Sequence, residues 1–233
     1  MSFVTPKTLT DQCAERVRQA ILDGTYSPEA RLPPERVLAE QNGVSRLTMR
    51  AALLKVEATG LLTVRQGSGY RVCDPHEVGG PELIPSLVGL DEGGVPVATE
   101  LLRVRRHLAM AVLEALIEAP PPTAPLHSAI AHLQIGIDQG ADSERLAELD
   151  ARVMATLLHL TGSSVLQLCV NPIRRMLRDW PALREAMYRS PQDNVSGWTL
   201  LAVWLEDPNP ETVGRIRQLL EERDAATLLA MTD

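Results

Sequence analysis

Ser45, Arg46, Thr48 and Arg50 fall within the short stretch "GVSRLTMR". Two guanidinium groups and two hydroxyls in that pattern suit contact with nucleic acid. A guanidinium can bond O6 and N7 of guanine together, whereas a hydroxyl can donate to a phosphate oxygen. If the stretch opens a helix, the positive end of that helix also favours a phosphate. Arg36 lies close enough upstream to reach the same groove, and "RQGSG" offers Arg65, Gln66 and Gly67 where backbone could approach a minor groove.

The flanking sequence supplies the elements that would hold these groups. "TDQCAERVRQAILDG" opens on capping residues, closes on glycine and repeats apolar residues at helical spacing. "PERVLAEQNG" reads as a short helix with proline in its first turn, ending at Asn42-Gly43. "SRLTMRAALLKVEATG" reads as a third helix, capped by Ser45 and stopped at Gly60, with Met49, Ala52, Leu53 and Val56 facing inward. "LLTV" and "YRVC" then flank a glycine-rich turn, the pattern of a β-hairpin. Two helices joined by a short glycine turn place the start of the second against base edges. The expected fold of residues 1–73 is a winged helix-turn-helix of three helices and a hairpin.

Residues 74–94 read as a linker with a short apolar turn inside it. From 95 to 233 helical periodicity dominates, over about 95–119, 124–139, 143–161, 163–179, 181–189, 192–206 and 209–230. "APPPTAP" and "EDPNPE" are strong breaks. The expectation is an all-helical bundle of six to seven helices, serving effector binding and dimerisation, so that the chain as a whole is mainly α.

Charge separates the two parts. Residues 1–74 carry ten Lys or Arg against eight Asp or Glu, and the rest carry thirteen against twenty-two, within a chain of net charge -7. A polyanion would be tolerated only at the N-terminal end. Aromatic residues make up 3% of the chain, so the core must be aliphatic. Cys13, Cys73 and Cys169 are odd in number and form no CxxC pair, which suits a reducing cytoplasm. No long apolar run or secretion signal is seen, so no membrane partner is expected.

An enzyme reading finds no support, because GxSxG, P-loop, GxGxxG and metal motifs are all lacking. The acidic stretch from Asp138 to Asp150 shows no spacing suited to acid–base work. An effector-independent architectural DNA-binding protein fits less well, since such proteins carry more lysine and this chain has only Lys7 and Lys55.

The stretch "LPPERVLAEQNGVSRLTMRAALLKVEATGLL" resembles the winged-helix domain of the GntR family, over roughly residues 8–73. Pro34 and Met49 are small departures from the family pattern. The resemblance implies a homodimeric transcription regulator that reads a short palindrome in double-stranded operator DNA. By it, Arg36, Arg46 and Arg50 make the main base or phosphate contacts, Ser45 and Thr48 bind the backbone, and Gln66 with Gly67 meets the minor groove. "LDEGGVPVATELLRVRRHL" and "LAELDARVMATLLHLTGSSVLQLCVNPIRRML" resemble, more loosely, the helical effector domain of the fatty-acid-responsive branch.

In that wider class many relatives hold a divalent metal through one Asp and three His. Here Asp150 matches the acidic position, but Met154, Trp198 and Leu220 stand where imidazoles are needed, so no metal or cofactor is expected. An acyl-CoA or another fatty-acid-related effector is one expectation, and a non-lipid organic acid is the alternative. Leu157, with Leu158, Leu166, Val170, Leu200, Val203 and Leu219, would receive an acyl chain, and Arg105 matches a ligand-linked arginine. Leu220, Arg223 and Thr227 depart from the acyl-CoA pattern. Ligand binding would shift a population between DNA-competent and incompetent arrangements, transmitted through residues 74–94.

Overall fold

The computed structural model describes residues 8–65, 69–90 and 94–232. The first helix, α1 (Leu9–Leu22), is closed at its start by a capping box. Thr8 accepts from the Asp11 amide, and Asp11 accepts in return from the Thr8 backbone. The cap therefore lies before Thr10, where the sequence pattern had suggested it. Lys55 on a later helix bonds Asp11, and with Thr8 it holds this carboxyl at about 2, below its ordinary value.

Helices α2 (Glu35–Gln41) and α3 (Arg46–Glu57) follow. The turn between them uses Gly43 at φ 64°, a backbone region that L side chains rarely adopt. Strands β1 (Leu62–Arg65) and β2 (Gly69–Val72) pair antiparallel, with Leu62 opposite Val72 and Arg65 opposite Gly69. Residues 29–32 add hydrogen bonds along β2, from Glu29 N–H to the Val72 carbonyl and from Leu32 N–H to the Tyr70 carbonyl. Cys13, Val17, Leu38, Met49, Leu53, Val56 and Leu62 form the core that joins helices to hairpin.

The stretch 74–94, expected as a linker, is instead folded where it is described. It forms α4 (Pro75–Val78), a 3-10 turn (Pro81–Leu83) and α5 (Ile84–Val88). Leu83 is buried in the core of the first unit, and α5 packs on α1. Burial of Leu83 supplies the anchoring that a freely jointed linker would lack. By internal contact the chain divides at this point into Met1–Gly94 and Val95–Asp233.

The second unit is entirely helical where described: α6 (Val95–Glu118), α7 (Ala124–Asp138), α8 (Ser143–Leu160), α9 (Ser164–Asp179), α10 (Pro181–Met187), α11 (Pro191–Trp204) and α12 (Pro210–Thr232). Prolines stand in the first turn of α7, α10 and α11, where no amide partner is lost. Its core is aliphatic, with Leu116, Leu126, Leu133, Val153 and Leu158 almost wholly buried. Helices α7 and α8 approach closely at Gly136, where an added Cβ would lie 2.4 Å from the Leu149 side chain. Among the described residues no helix is long and apolar enough to cross a membrane.

Candidate nucleic-acid interface and effector cavity

Helix α3 begins where the sequence pattern places it. Ser45 is its N-cap and accepts from the Thr48 amide at 3.1 Å. The Ser45 and Thr48 hydroxyls lie 2.8 Å apart, so one donates to the other and one proton of the pair stays available for a phosphate oxygen. The cap thus both fixes the helix start and presents a donor beside its positive end.

Arg46 and Arg50 project from the first turns of α3, and their side chains are 72% and 66% exposed. Glu35, at the start of α2, faces both: Arg46 Nε lies 3.2 Å from Oε2 and Arg50 Nε lies 4.0 Å from Oε1. Both contacts are made through Nε, and both side chains stay largely exposed, so the guanidiniums remain accessible to a base edge. Glu35 was not among the residues singled out from sequence. Its signal was weak, because a glutamate in the first turn of a helix needs no further explanation. Arg36 pairs with Glu40 along α2 at 2.6 Å and is exposed. Arg65 closes β1 opposite Gly69. The expected contacts of Gln66 and Gly67 fall outside the described residues.

The second unit carries a half-open cavity of about 490 Å³ lined by α6 and α8 to α12. Its walls are mainly apolar, with Leu108, Val112, Met154, Leu157, Val170, Ile173, Leu200, Leu219 and Leu220 among them. Leu157 and Leu220 line it together with Arg105 and Arg223. Thr227 does not join them: it is buried, and its hydroxyl donates to the Arg223 carbonyl at 3.0 Å one helical turn back. Leu158, Leu166 and Val203 also stand off the lining. Leu158 is consumed by the core and Val203 faces outward.

The polar groups at and behind the wall form three bonded sets. Asp224 takes Arg105 at 2.6 Å on one oxygen and Arg106 at 2.7 Å on the other. Burial pushes the Asp224 carboxyl up, and the two arginines oppose that. Asp150 accepts from the Trp198 indole N–H at 2.6 Å and is hydrogen-bonded to the Tyr188 hydroxyl. Enclosure by protein raises Asp150 from its ordinary value, while these donors and the charges of Arg223 and Arg105 lower it. Arg223 donates to Asn194, and burial lowers its pKa.

Asp150, Met154, Trp198 and Leu220 all line this one cavity. They do not fit a divalent metal: the thioether, indole and isobutyl groups offer no hard ligand, and the Asp150 carboxylate is already engaged by Trp198 and Tyr188. Among the described residues no group of three or more His, Cys, Asp or Glu could share a metal ion.

Residues 9–72 match the family model described as bacterial regulatory proteins of the gntR family. Over 160 residues the chain is 32% identical to an uncharacterized HTH-type transcriptional regulator of Mycobacterium tuberculosis, covering 68% of this chain and 64% of that protein. It is 29% identical over 161 residues to the fatty acid metabolism regulator protein of Edwardsiella ictaluri, covering 69% of this chain and 65% of that protein. The chain thus spans just under two thirds of the length of these curated relatives. A solved structure described as Lar, which controls expression of the Listeria monocytogenes agr system, superposes with a TM-score of 0.56. That match covers 97% of both chains at 16% identity and shows likeness of fold. The matched family is one of regulatory proteins. Residues 9–72 are thus a domain of the kind found in the GntR family of bacterial regulatory proteins.

Proposed function

We propose that this chain is a sequence-specific transcription regulator of the bacterial cytoplasm that binds operator DNA as a homodimer. The observation that carries this reading is the start of α3. There, two exposed guanidiniums braced by Glu35 stand beside a capped helix N-terminus with a free hydroxyl donor. Arg46 and Arg50 read bases, Ser45 and Thr48 hold phosphate, and Arg36 and the hairpin tip around Arg65, Gln66 and Gly67 extend the contact. A dimer would meet two half-sites roughly one helical turn or less apart.

The helical unit binds a small effector in its cavity and so controls DNA affinity. Its apolar walls and its volume of about 490 Å³ suit a ligand with an aliphatic body. That favours a fatty-acid-related molecule, in line with the name of the Edwardsiella relative. A small, wholly polar organic acid would leave the Leu and Met walls unmatched. Arg105, Leu157, Leu220 and Arg223 are the contacts expected for it, and residues 74–94 carry the coupling to the first unit.

Selection of binders from a random duplex pool tests the DNA reading. The expected result is enrichment of one palindromic motif whose half-sites contain guanine. A pool that stays random after repeated rounds would overturn it.

A further inference from the structure

Leu47 is the second residue of α3 and is 79% exposed, more than any other large apolar residue among those described. Its direction follows from the helix itself. At about 100° per residue, Leu47 points roughly opposite to the buried stripe of Met49, Ala52, Leu53 and Val56. Arg50 stands about 60° from it and Arg46 about 100°, on the same exposed arc. Leu54 shares the outward line at 51% exposure, but lies about 10 Å further along the axis, away from the capped start.

A single exposed leucine on a protein surface is ordinary. This one lies between Arg46 and Arg50 and next to Thr48, on the turns of α3 that carry the groups suited to DNA. A helix that brings Arg46 and Arg50 to base edges carries Leu47 into the same groove. Its isobutyl group has no donor or acceptor. Against O6 and N7 of guanine, or the amino groups of adenine and cytosine, it would strip water from polar atoms and return no hydrogen bond. The 5-methyl group of thymine is the apolar group that the major groove displays. Contact with it removes apolar surface from water on both sides.

We propose that Leu47 is a specificity-determining residue that selects thymine in the operator half-site, by apolar contact with the 5-methyl group. This rests on the DNA reading of α3 given above and adds a second base to those read by the arginines.

Deoxyuridine differs from thymidine by that methyl alone, which makes the test specific. The selected duplex is made with deoxyuridine in place of thymidine, one position at a time and in both half-sites. Each duplex is titrated by fluorescence anisotropy with the full chain and with Leu47→Ala. At one thymine position the unaltered chain is expected to lose about fourfold per methyl, or roughly fifteenfold for the two half-sites. Leu47→Ala should bind the thymine and uracil duplexes at that position within about twofold of each other. Its Tm should match that of the unaltered chain, because the side chain lies outside the core. A motif whose half-sites lack thymine, or one with no uracil-sensitive position, would overturn the role of Leu47 and leave the DNA reading standing. A uracil penalty that persists undiminished in Leu47→Ala would do the same. Selection of no motif at all would overturn both.

Discussion

Asp224→Ala is expected to destabilise the helical unit by about 3–5 kcal/mol, the cost of leaving buried charges without their partner. Asp224 is 4% exposed and bonds Arg105 and Arg106 at once, one on each oxygen. Its removal leaves two guanidiniums side by side in a half-buried site between α6 and α12. Among the described residues Arg106 keeps only the looser contact with Glu221 at 3.6 Å, and Arg105 keeps no paired carboxylate. Thermal unfolding followed by circular dichroism measures the effect, with a fall in Tm of roughly 10 °C expected. A loss below about 1 kcal/mol would mean that water screens this triad as it screens a surface ion pair. The consequence for function is local, since Arg105 lines the cavity and Asp224 fixes where its guanidinium lies.

Arg46→Ala and Arg50→Ala should each weaken operator binding by about 1–3 kcal/mol, close to one or two decades in Kd. Both side chains are exposed, so neither change should disturb the core, and the loss reports on DNA alone. Anisotropy titrations on matched and mutated duplexes separate two kinds of contact. A base-reading arginine loses affinity for the matched site and relaxes specificity at one position. A phosphate-binding arginine loses affinity evenly across sequences and flattens the salt dependence. Unchanged binding in both variants would remove this face of α3 from the interface. Because Glu35 braces both arginines, the two losses need not add.

Local signals carried much of this fold into view. Ser45 before α3 and Gly43 with its positive φ mark the helix-turn-helix break by chemistry that is confined to a few residues. Prolines at the starts of α7, α10 and α11 punctuate the bundle in the same way. What stayed hidden depends on contacts between distant segments. Leu83 looks like any apolar residue in a glycine- and proline-rich stretch, yet its burial turns the supposed linker into part of the first unit. Trp198 meets Asp150 across 48 residues, and Arg105 meets Asp224 across 119, so no spacing rule could reveal either. Thr227 sat at a motif position, but a helical hydroxyl can satisfy itself on the carbonyl four residues back, and here it does.

The most direct test of the regulator reading is fluorescence anisotropy of the full chain on its selected duplex and on a scrambled duplex, at one fixed salt concentration, with and without decanoate. The expected result is binding to the selected site at least about 10³-fold tighter than to the scrambled one, with the ligand shifting only the specific affinity. Equal affinity for the two duplexes, unmoved by ligand, would contradict it.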